Sequence, residues 1–449
     1  MATTLSAKQQ VLLCPDLFEQ IIDWTWALAA SAHLAPTDGT HVKEKSSCTA
    51  SPPIFILSLE FVHKSWLPRS RYHRFRNVIL TPRSTPGFLE LLASPGESVS
   101  PYVESVQFED EVGSTFRNFR STSSHVSLPN VKTLCFHQLA SFPFSSNQNF
   151  TAFGTIFPSV HTLRFRLCLG IEAKEIFALM NELPSVDNLD FDSEAIFRSG
   201  VERIDDFASV TRLRSLTARC TIPRFPWDLP YQWGPVLRLI VESGRLLNLE
   251  SLTLEGFTPE ELESTGRLLE KSKGTLREVN LSFSEDHSCE DVWRRGRRGR
   301  VDIDILLRTL FPLPFLSLRR LRIKTWIPFE SSIHAAAVRS LPTIIRHVLS
   351  PNLEQLELDV NLSGCEVSSA TTSMISSTAN SPSFDHEFCA ILMQVNTLLS
   401  SPDSQTWNLR KVKIVVEDWS VEKEASWCQF LGRLLEDWEA AEVVGRRGC

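Results

Sequence analysis

The clearest pattern in the chain is a short apolar motif that recurs along most of its length. It reads as an apolar residue, often Pro, one variable residue, Leu or Val, two variable residues, Leu, one variable residue and a last apolar residue. Each copy predicts a short strand with one apolar face, because successive side chains of a strand point to opposite faces. The matching segments are residues 100–108, 127–136, 156–165, 182–191, 210–218, 246–254, 273–281, 315–323, 350–358 and 406–414.

The spacing of these segments predicts the fold. The first four intervals between anchors are about 26 to 29 residues, which is the length of a leucine-rich repeat. Most later intervals are longer, at about 36, 42, 35 and 56 residues, and indicate inserted loops. We therefore expect an α/β fold, a degenerate leucine-rich-repeat solenoid over residues 100–417 whose units bury their apolar faces on one another. The anchors are Val106, Leu134, Leu163, Leu189, Leu216, Leu252, Val279, Leu321, Leu356 and Val412.

The segments between the strands predict the return half of each repeat. Residues 172–183 and 259–272 have the apolar spacing of helices. Residues 421–441 have it too, and we expect that helix to cap the open end of the array, as terminal repeats must. Binding of a partner helix is the alternative for this segment. Its apolar face consists of Trp427, Phe430, Leu431, Leu434 and Leu435.

The variable positions of the strands predict a second, polar face. Their side chains point away from the core, and their charge alternates in sign from one repeat to the next. We expect this concave face to bind a polar or charged protein partner; solvated side chains without a partner are the alternative. The candidate partner-binding residues are Arg164, Arg166, Asp190, Asp192, Arg219, Glu255, Arg322, Lys324, Glu357 and Asp359, with Thr217, Thr253, Asn280 and Ser282 between them.

The first eighty residues have a different pattern. Leu13, Leu17 and Ile21 recur at the spacing of one helical face within residues 12–26. Residues 27–53 contain several Pro and Gly among small polar residues, and they predict a loop or a disordered insertion.

Helical spacing resumes after the insertion. Leu59, Val62 and Trp66 are placed for one face of a helix, and we expect Pro68 to end it. Residues 74–80 then predict an exit into extended chain.

These N-terminal segments, LCPDLFEQIID and SLEFVHKSWLPRSRYHRFRNVIL, resemble the F-box motif of fungal F-box proteins. In that family a Leu-Pro-x-Glu-Leu pattern and paired Ile residues precede a short link, a Val-x-x-x-Trp segment and Pro-Arg-Ser-Arg. Cys14 stands where the family has its first Pro, with Pro15 one place later, and the insertion at 27–53 is longer than the usual link. The matching residues are Leu13, Asp16, Leu17, Ile21, Ile22, Val62, Trp66, Leu67, Pro68, Arg69, Ser70 and Arg71.

The resemblance covers residues 12–80 and implies a helical module that docks on the small adaptor subunit of a cullin-RING ubiquitin ligase. Two ordinary amphipathic helices of a globular core are the alternative. The adaptor-binding residues that the resemblance implies are Leu13, Pro15, Leu17, Ile21, Ile22, Val62, Trp66 and Leu67.

The net charge and the pattern of cysteines argue against several classes of function. The formal net charge of -7 argues against general nucleic-acid binding and against a polybasic membrane anchor. The 10 cysteines occur singly, without the CxxC spacing of a zinc or redox site. The N-terminus lacks the pattern of a signal peptide, and no apolar run approaches the roughly 20 residues that span a bilayer. We expect a cytoplasmic or nuclear protein.

The sequence contains no recognisable motif for catalysis or for a cofactor. It has no Gly-rich phosphate loop, no HExxH, no Gly-x-Ser-x-Gly and no kinase-like set, so we expect a non-enzymatic protein without cofactor or metal. The basic segment 293–300, WRRGRRGR, predicts a nuclear import signal or a contact with nucleic acid. An exposed loop without such a role is the alternative. The Ser/Thr-rich segment 368–383 predicts a mobile loop that phosphorylation could target.

Two hypotheses of function follow. In the first, the chain is the substrate-recognition subunit of an SCF-type ubiquitin ligase, with the N-terminal module on the adaptor and cullin side and a target protein on the repeats. In the second, it is a leucine-rich-repeat scaffold outside any ligase, because the insertion at 27–53 has disabled the helical module.

Overall fold

Parallel strands, with helices between some of them, make up the described part of the chain in this computed structural model. The structure describes residues 67–94, 96–97, 99–109, 126–139, 151–192, 196–198, 211–219, 234–243, 247–257, 259–283, 317–326, 352–361, 411–417 and 441–446. It also describes Gln20, Asp23, Thr115, Pro342, Ile345, Arg346, Met393, Gln394, Val395, Thr397 and Leu398.

The helices are α1 Leu67–Phe75, α2 Ser84–Ala93, α3 Thr151–Ile156, α4 Ala173–Glu182, α5 Gly234–Glu242 and α6 Pro259–Ser272, with a short 3-10 turn at Ser100–Tyr102. The strands are β1 Asn77–Leu80, β2 Ser105–Glu109, β3 Thr133–His137, β4 Thr162–Arg166, β5 Leu169–Glu172, β6 Asn188–Asp192, β7 Ile196–Arg198, β8 Ser215–Arg219, β9 Ser251–Phe257, β10 Glu278–Phe283, β11 Arg320–Trp326, β12 Gln355–Asn361, β13 Lys411–Glu417 and β14 Ala441–Arg446.

The chain forms two compact units, and the first consists of Met1–Arg164 with Glu182–Ser185. Its strands lie in chain order, and β1, β2 and β3 are parallel neighbours. The register aligns equivalent apolar positions, with Val78 opposite Val106 and Val106 opposite Leu134. Equivalent positions of successive repeats in the sequence therefore lie side by side in the sheet.

The second unit consists of Phe165–Asn181 and Val186–Cys449. Its main strands lie in the order β6-β8-β9-β10-β11-β12-β13-β14, with parallel registers between neighbours. A separate two-stranded parallel sheet contains β5 and β7. The anchors of the main sheet lie side by side in the series Leu189, Leu216, Leu252, Val279, Leu321, Leu356 and Val412.

The core of both units is built from the inward positions of these strands. The anchors from Val106 to Leu356 are at most 1% exposed. The apolar residue two places further along each strand is also buried, and Phe108 stacks on Phe136 with ring centroids 5.6 Å apart. Burial of such side chains is the main favourable contribution to folding, at roughly 2 kcal/mol for each large one.

Polar side chains hold the turns that lead into the strands. The residue three places before a strand donates a hydrogen bond to a backbone carbonyl of the preceding repeat. Asn130 Nδ2 donates to the Pro101 carbonyl at 2.8 Å, and Asn248 Nδ2 donates to the Thr211 carbonyl at 2.8 Å. Ser185, Thr275 and Ser317 donate through their hydroxyls in the same way, at 2.8 to 3.0 Å. We call these five side chains the turn donors; they bind carbonyls that lie outside the strands.

Close packing is visible at Gly154 in α3. A Cβ atom added there would collide with the carbonyl oxygen of Glu182. Only glycine therefore lets this helix approach the backbone at Glu182 so closely.

The strands predicted from the ten repeat segments are confirmed as β2, β3, β4, β6 and β8 to β13. The helices predicted at 172–183 and 259–272 are confirmed at Ala173–Glu182 and Pro259–Ser272. Extended chain near 74–80 is confirmed in part, since β1 begins at Asn77.

Pro68 is the second residue of α1, which is possible because an N–H in the first turn has no partner within the helix. The helix that we expect Pro68 to end, with Leu59, Val62 and Trp66, lies outside the described residues. One expectation differs from the structure. Residue 441, expected at the end of a capping helix, begins β14, which extends the sheet beyond β13 with parallel pairing. The rest of the predicted cap, 421–440, lies outside the described residues. Among the helices that the structure describes, none has the length and apolar character needed to cross a membrane.

Candidate interaction surfaces

A charged cluster in the first unit joins two distant parts of the N-terminal sequence. Arg69 Nε donates to Asp23 Oδ1 at 2.7 Å, and Arg69 Nη2 also contacts Asp23 Oδ2. His73 Nε2 lies 2.7 Å from the same Oδ1. Arg69 and His73 are one helical turn apart on α1, so both face a single carboxylate. The cluster brings together residues on either side of the 27–53 insertion.

The protonation of the cluster follows from these contacts. The hydrogen bond from Arg69 lowers the pKa of Asp23, although burial partly offsets this effect. Burial lowers the pKa of His73, and the hydrogen bond to Asp23 opposes it. At neutral pH the contact is therefore between a carboxylate and a neutral imidazole, with Arg69 as the cation.

Of the residues implied to bind the adaptor, the structure describes Leu67, which is half-buried in the first turn of α1. The others lie outside the described residues: Leu13, Pro15, Leu17, Ile21, Ile22, Val62 and Trp66.

The outward face of the strands brings together several of the predicted partner-binding residues. Arg219 and Glu255 are register partners on β8 and β9, and their charged groups are 3.7 Å apart. Arg322 and Glu357 are register partners on β11 and β12, 3.6 Å apart. The alternation in sign seen in the sequence thus produces ion pairs between neighbouring strands.

The remaining predicted residues occupy the expected strands. Arg164 and Arg166 on β4, Asp190 on β6 and Lys324 on β11 are half-buried. Asp192 and Asp359 belong to β6 and β12. In the first unit, His137 and Glu109 form a further cross-strand contact, with Nδ1 and Oε1 3.8 Å apart.

A second polar surface of the second unit was not predicted. It is a groove of about 510 Å³ at the N-terminal ends of β8 to β12. Two residues before each of these strands line the groove: one directly precedes the strand, and the other lies three positions before its first residue. We call the residues that directly precede the strands the entry charges, and they are Arg214, Glu250, Arg277, Arg319 and Glu354. Their position next to the apolar motif recurs in the sequence, and that recurrence is the signal that would have found them.

Two cysteines lie in the described residues, Cys135 and Cys168, and both are buried. The ranges that the structure describes contain no group of three or more His, Cys, Asp or Glu side chains able to hold a metal ion.

No protein-family model matches the chain. No curated protein matches its sequence.

Proposed function

We propose that this protein is the substrate-recognition subunit of an SCF-type ubiquitin ligase. Its N-terminal module would dock on the adaptor subunit, and a leucine-rich-repeat solenoid would hold the target protein. The observation that carries the proposal is the F-box-like pattern over residues 12–80, combined with a repeat array whose polar face is open to solvent in part.

The charged cluster supports the docking half of the proposal. Asp23 belongs to the first half of the motif-like sequence, whereas Arg69 is one of the residues that match its end. Their bidentate contact is a geometry that favours a defined orientation of the two segments. This contact supports a docking module that is formed by the two segments together.

The parallel registers support the solenoid half. From β8 to β13 each anchor lies opposite the anchor of the next repeat, whether the interval between them is short or long. This is the arrangement expected when repeats stack and added residues form loops.

The mechanism of such a subunit is proximity. A target bound to the repeats is held near the ubiquitin-carrying enzyme, and this raises its effective concentration there. No side-chain chemistry of this chain is needed for it.

The test is co-purification of the adaptor and cullin with the full chain. Wild type should recover both, and Leu17→Asp should recover neither, because it places a charge on the predicted docking face. The matched control is Leu91→Asp, the same change at an exposed leucine of α2 in the same unit. Absence of adaptor and cullin from wild type, with the circular dichroism of a folded repeat array, would contradict the proposal.

The second candidate is a leucine-rich-repeat scaffold that does not enter a ligase. The length of the 27–53 insertion is the observation that favours it. Deletion of this insertion separates the two candidates. Adaptor binding by the wild-type chain supports a ligase subunit, whereas binding that appears only after deletion identifies an F-box-like module that the insertion has disabled. Absence of binding by both folded forms favours the scaffold.

A further inference from the structure

We propose that the groove at the strand entries binds an extended acidic peptide segment, whose carboxylates pair with Arg214, Arg277 and Arg319. This inference does not depend on the ligase proposal, because it concerns a site on the second unit alone. The site is also separate from the outward strand face on which the sequence predicts a partner.

The lining of the groove excludes an apolar ligand. All of its residues are polar, charged or glycine. They include four arginines and two glutamates, so the groove is positive although the chain has a formal net charge of -7. Arginine is the side chain best suited to a carboxylate, since its planar group donates two parallel hydrogen bonds.

The arginines are the groups of the groove that are best placed to bind a ligand. The turn donors Asn248, Thr275 and Ser317 also line the groove, and each already donates to a backbone carbonyl of the preceding repeat. The hydroxyl hydrogens of Thr275 and Ser317 and one amide hydrogen of Asn248 therefore hold the fold rather than a ligand. The guanidinium groups of Arg277 and Arg319 are instead exposed, with side-chain exposures of 61% and 59%.

Arg277 and Arg319 place two like charges next to each other. The Arg319 backbone N–H donates to the Arg277 carbonyl at 2.8 Å, so the two residues are direct neighbours across the sheet. Each has a glutamate on its outer side, Glu250 at 3.5 Å and Glu354 at 3.8 Å. Such long, exposed ion pairs contribute little to stability. A carboxylate placed between the two arginines would relieve their mutual repulsion.

The row of arginines has the length of a short extended chain. Arg214 and Arg277 precede β8 and β10, which are two strand intervals or about 10 Å apart, and Arg319 precedes β11, one interval or about 5 Å further, so the row spans about 14 Å. In an extended peptide, acidic residues at three alternate positions span about 13 Å on one side. Three separate single charges match this row, whereas a phosphate concentrates its charge at one point. We therefore assign the groove to carboxylates.

The experiment measures binding of fluorescent nine-residue peptides to the full chain by anisotropy at about 0.15 M salt. One peptide has Glu at positions 3, 5 and 7 with Ser between them, the second has Gln at those positions, and the third has a single phosphoserine at position 5 with Gln at 3 and 7. We expect the Glu peptide to bind at least about tenfold more tightly than the other two.

Variants of the protein locate the site. The double variant Arg277→Gln with Arg319→Gln should weaken binding of the Glu peptide by about tenfold. A matched control, Arg238→Gln with Arg267→Gln, removes the same charge from exposed positions of α5 and α6 and should change affinity by less than about twofold. Glu250→Gln with Glu354→Gln should tighten binding, because it removes the competing carboxylates.

Equal binding of the Glu and Gln peptides would overturn the inference, provided that circular dichroism shows a folded chain. Equal losses in the groove variant and the control variant would also overturn it, since that result means attraction to overall charge. Tight binding of the phosphoserine peptide alone would overturn the assignment to carboxylates.

Discussion

Inward and outward residues alternate along β8 to β12, and they differ in what holds them in place. The inward anchors Leu216, Leu252 and Leu356 are fully buried. The outward pair Arg219 and Glu255 remains 46% and 35% exposed and meets at 3.7 Å. Burial therefore fixes the register, and the ion pairs follow from a register already fixed. The hydrophobic effect determines which residues the inward face can have, whereas the residues of the outward face can vary to bind a partner.

The largest effect should come from the inward face. Leu252→Ala removes a fully buried side chain of β9, and we expect a loss of about 3 kcal/mol in the free energy of unfolding. The neighbour Thr253→Ala, on the outward side, should cost less than about 1 kcal/mol. Urea denaturation followed by circular dichroism checks both. Similar losses for the two variants would show that burial does not separate the faces.

The next effect concerns the turn donors. Asn248→Ala removes the 2.8 Å hydrogen bond to the Thr211 carbonyl and leaves that carbonyl without its side-chain donor. We expect a loss of about 1 kcal/mol, measured by the same denaturation. Asn248→Asp, which has no N–H to donate, should behave like the alanine variant. A loss close to zero in both would mean that water replaces the bond.

A third test compares the partly buried cluster of Asp23, Arg69 and His73 with the exposed pairs of the sheet. Because burial lowers the pKa of His73 in the folded protein, the unfolded chain binds the proton first. Stability should therefore fall as the pH drops from about 7.5 through the ordinary histidine pKa of about 6.5 and level off below the folded pKa.

His73→Gln should flatten this dependence, measured as melting temperature against pH. The control His161→Gln, at an exposed histidine of the same unit, should keep the wild-type slope. Asp23 has the same sign of effect at lower pH. Its lowered pKa gives stability above about pH 4 that is lost as the pH falls through the folded pKa. An unchanged slope between pH 7.5 and 5.5 in His73→Gln would contradict the assigned cause.

The smallest effect should come from the outward ion pairs. A double-mutant cycle of Arg219→Ala and Glu255→Ala should give a coupling of about 0.3 kcal/mol, reduced further by salt. A coupling above about 1 kcal/mol would mean that these pairs help to set the register.

The sequence was sufficient for the repeats because their signal is local. Anchors such as Leu134 and Leu252 recur with alternating neighbours, and the strands lie where this pattern places them. The helix α6 was predicted from its apolar spacing for the same reason.

The remainder depends on contacts between distant residues. The pairing of Arg322 with Glu357 requires the register of two strands whose anchors, Leu321 and Leu356, are 35 residues apart in the sequence. Strand β14 was missed because its short sequence, AEVVGR, follows directly on a helical pattern. The groove was missed because its entry charges lie outside the strands and align only when the repeats stack.

The most direct test of the account is a calorimetric titration of the full chain with purified adaptor subunit. We expect saturable binding with one adaptor per chain, lost in Leu17→Asp and retained in Leu91→Asp. Arg277→Gln with Arg319→Gln should leave adaptor binding unchanged, since the groove belongs to the other unit. Absence of heat from a folded wild-type chain would contradict the ligase assignment.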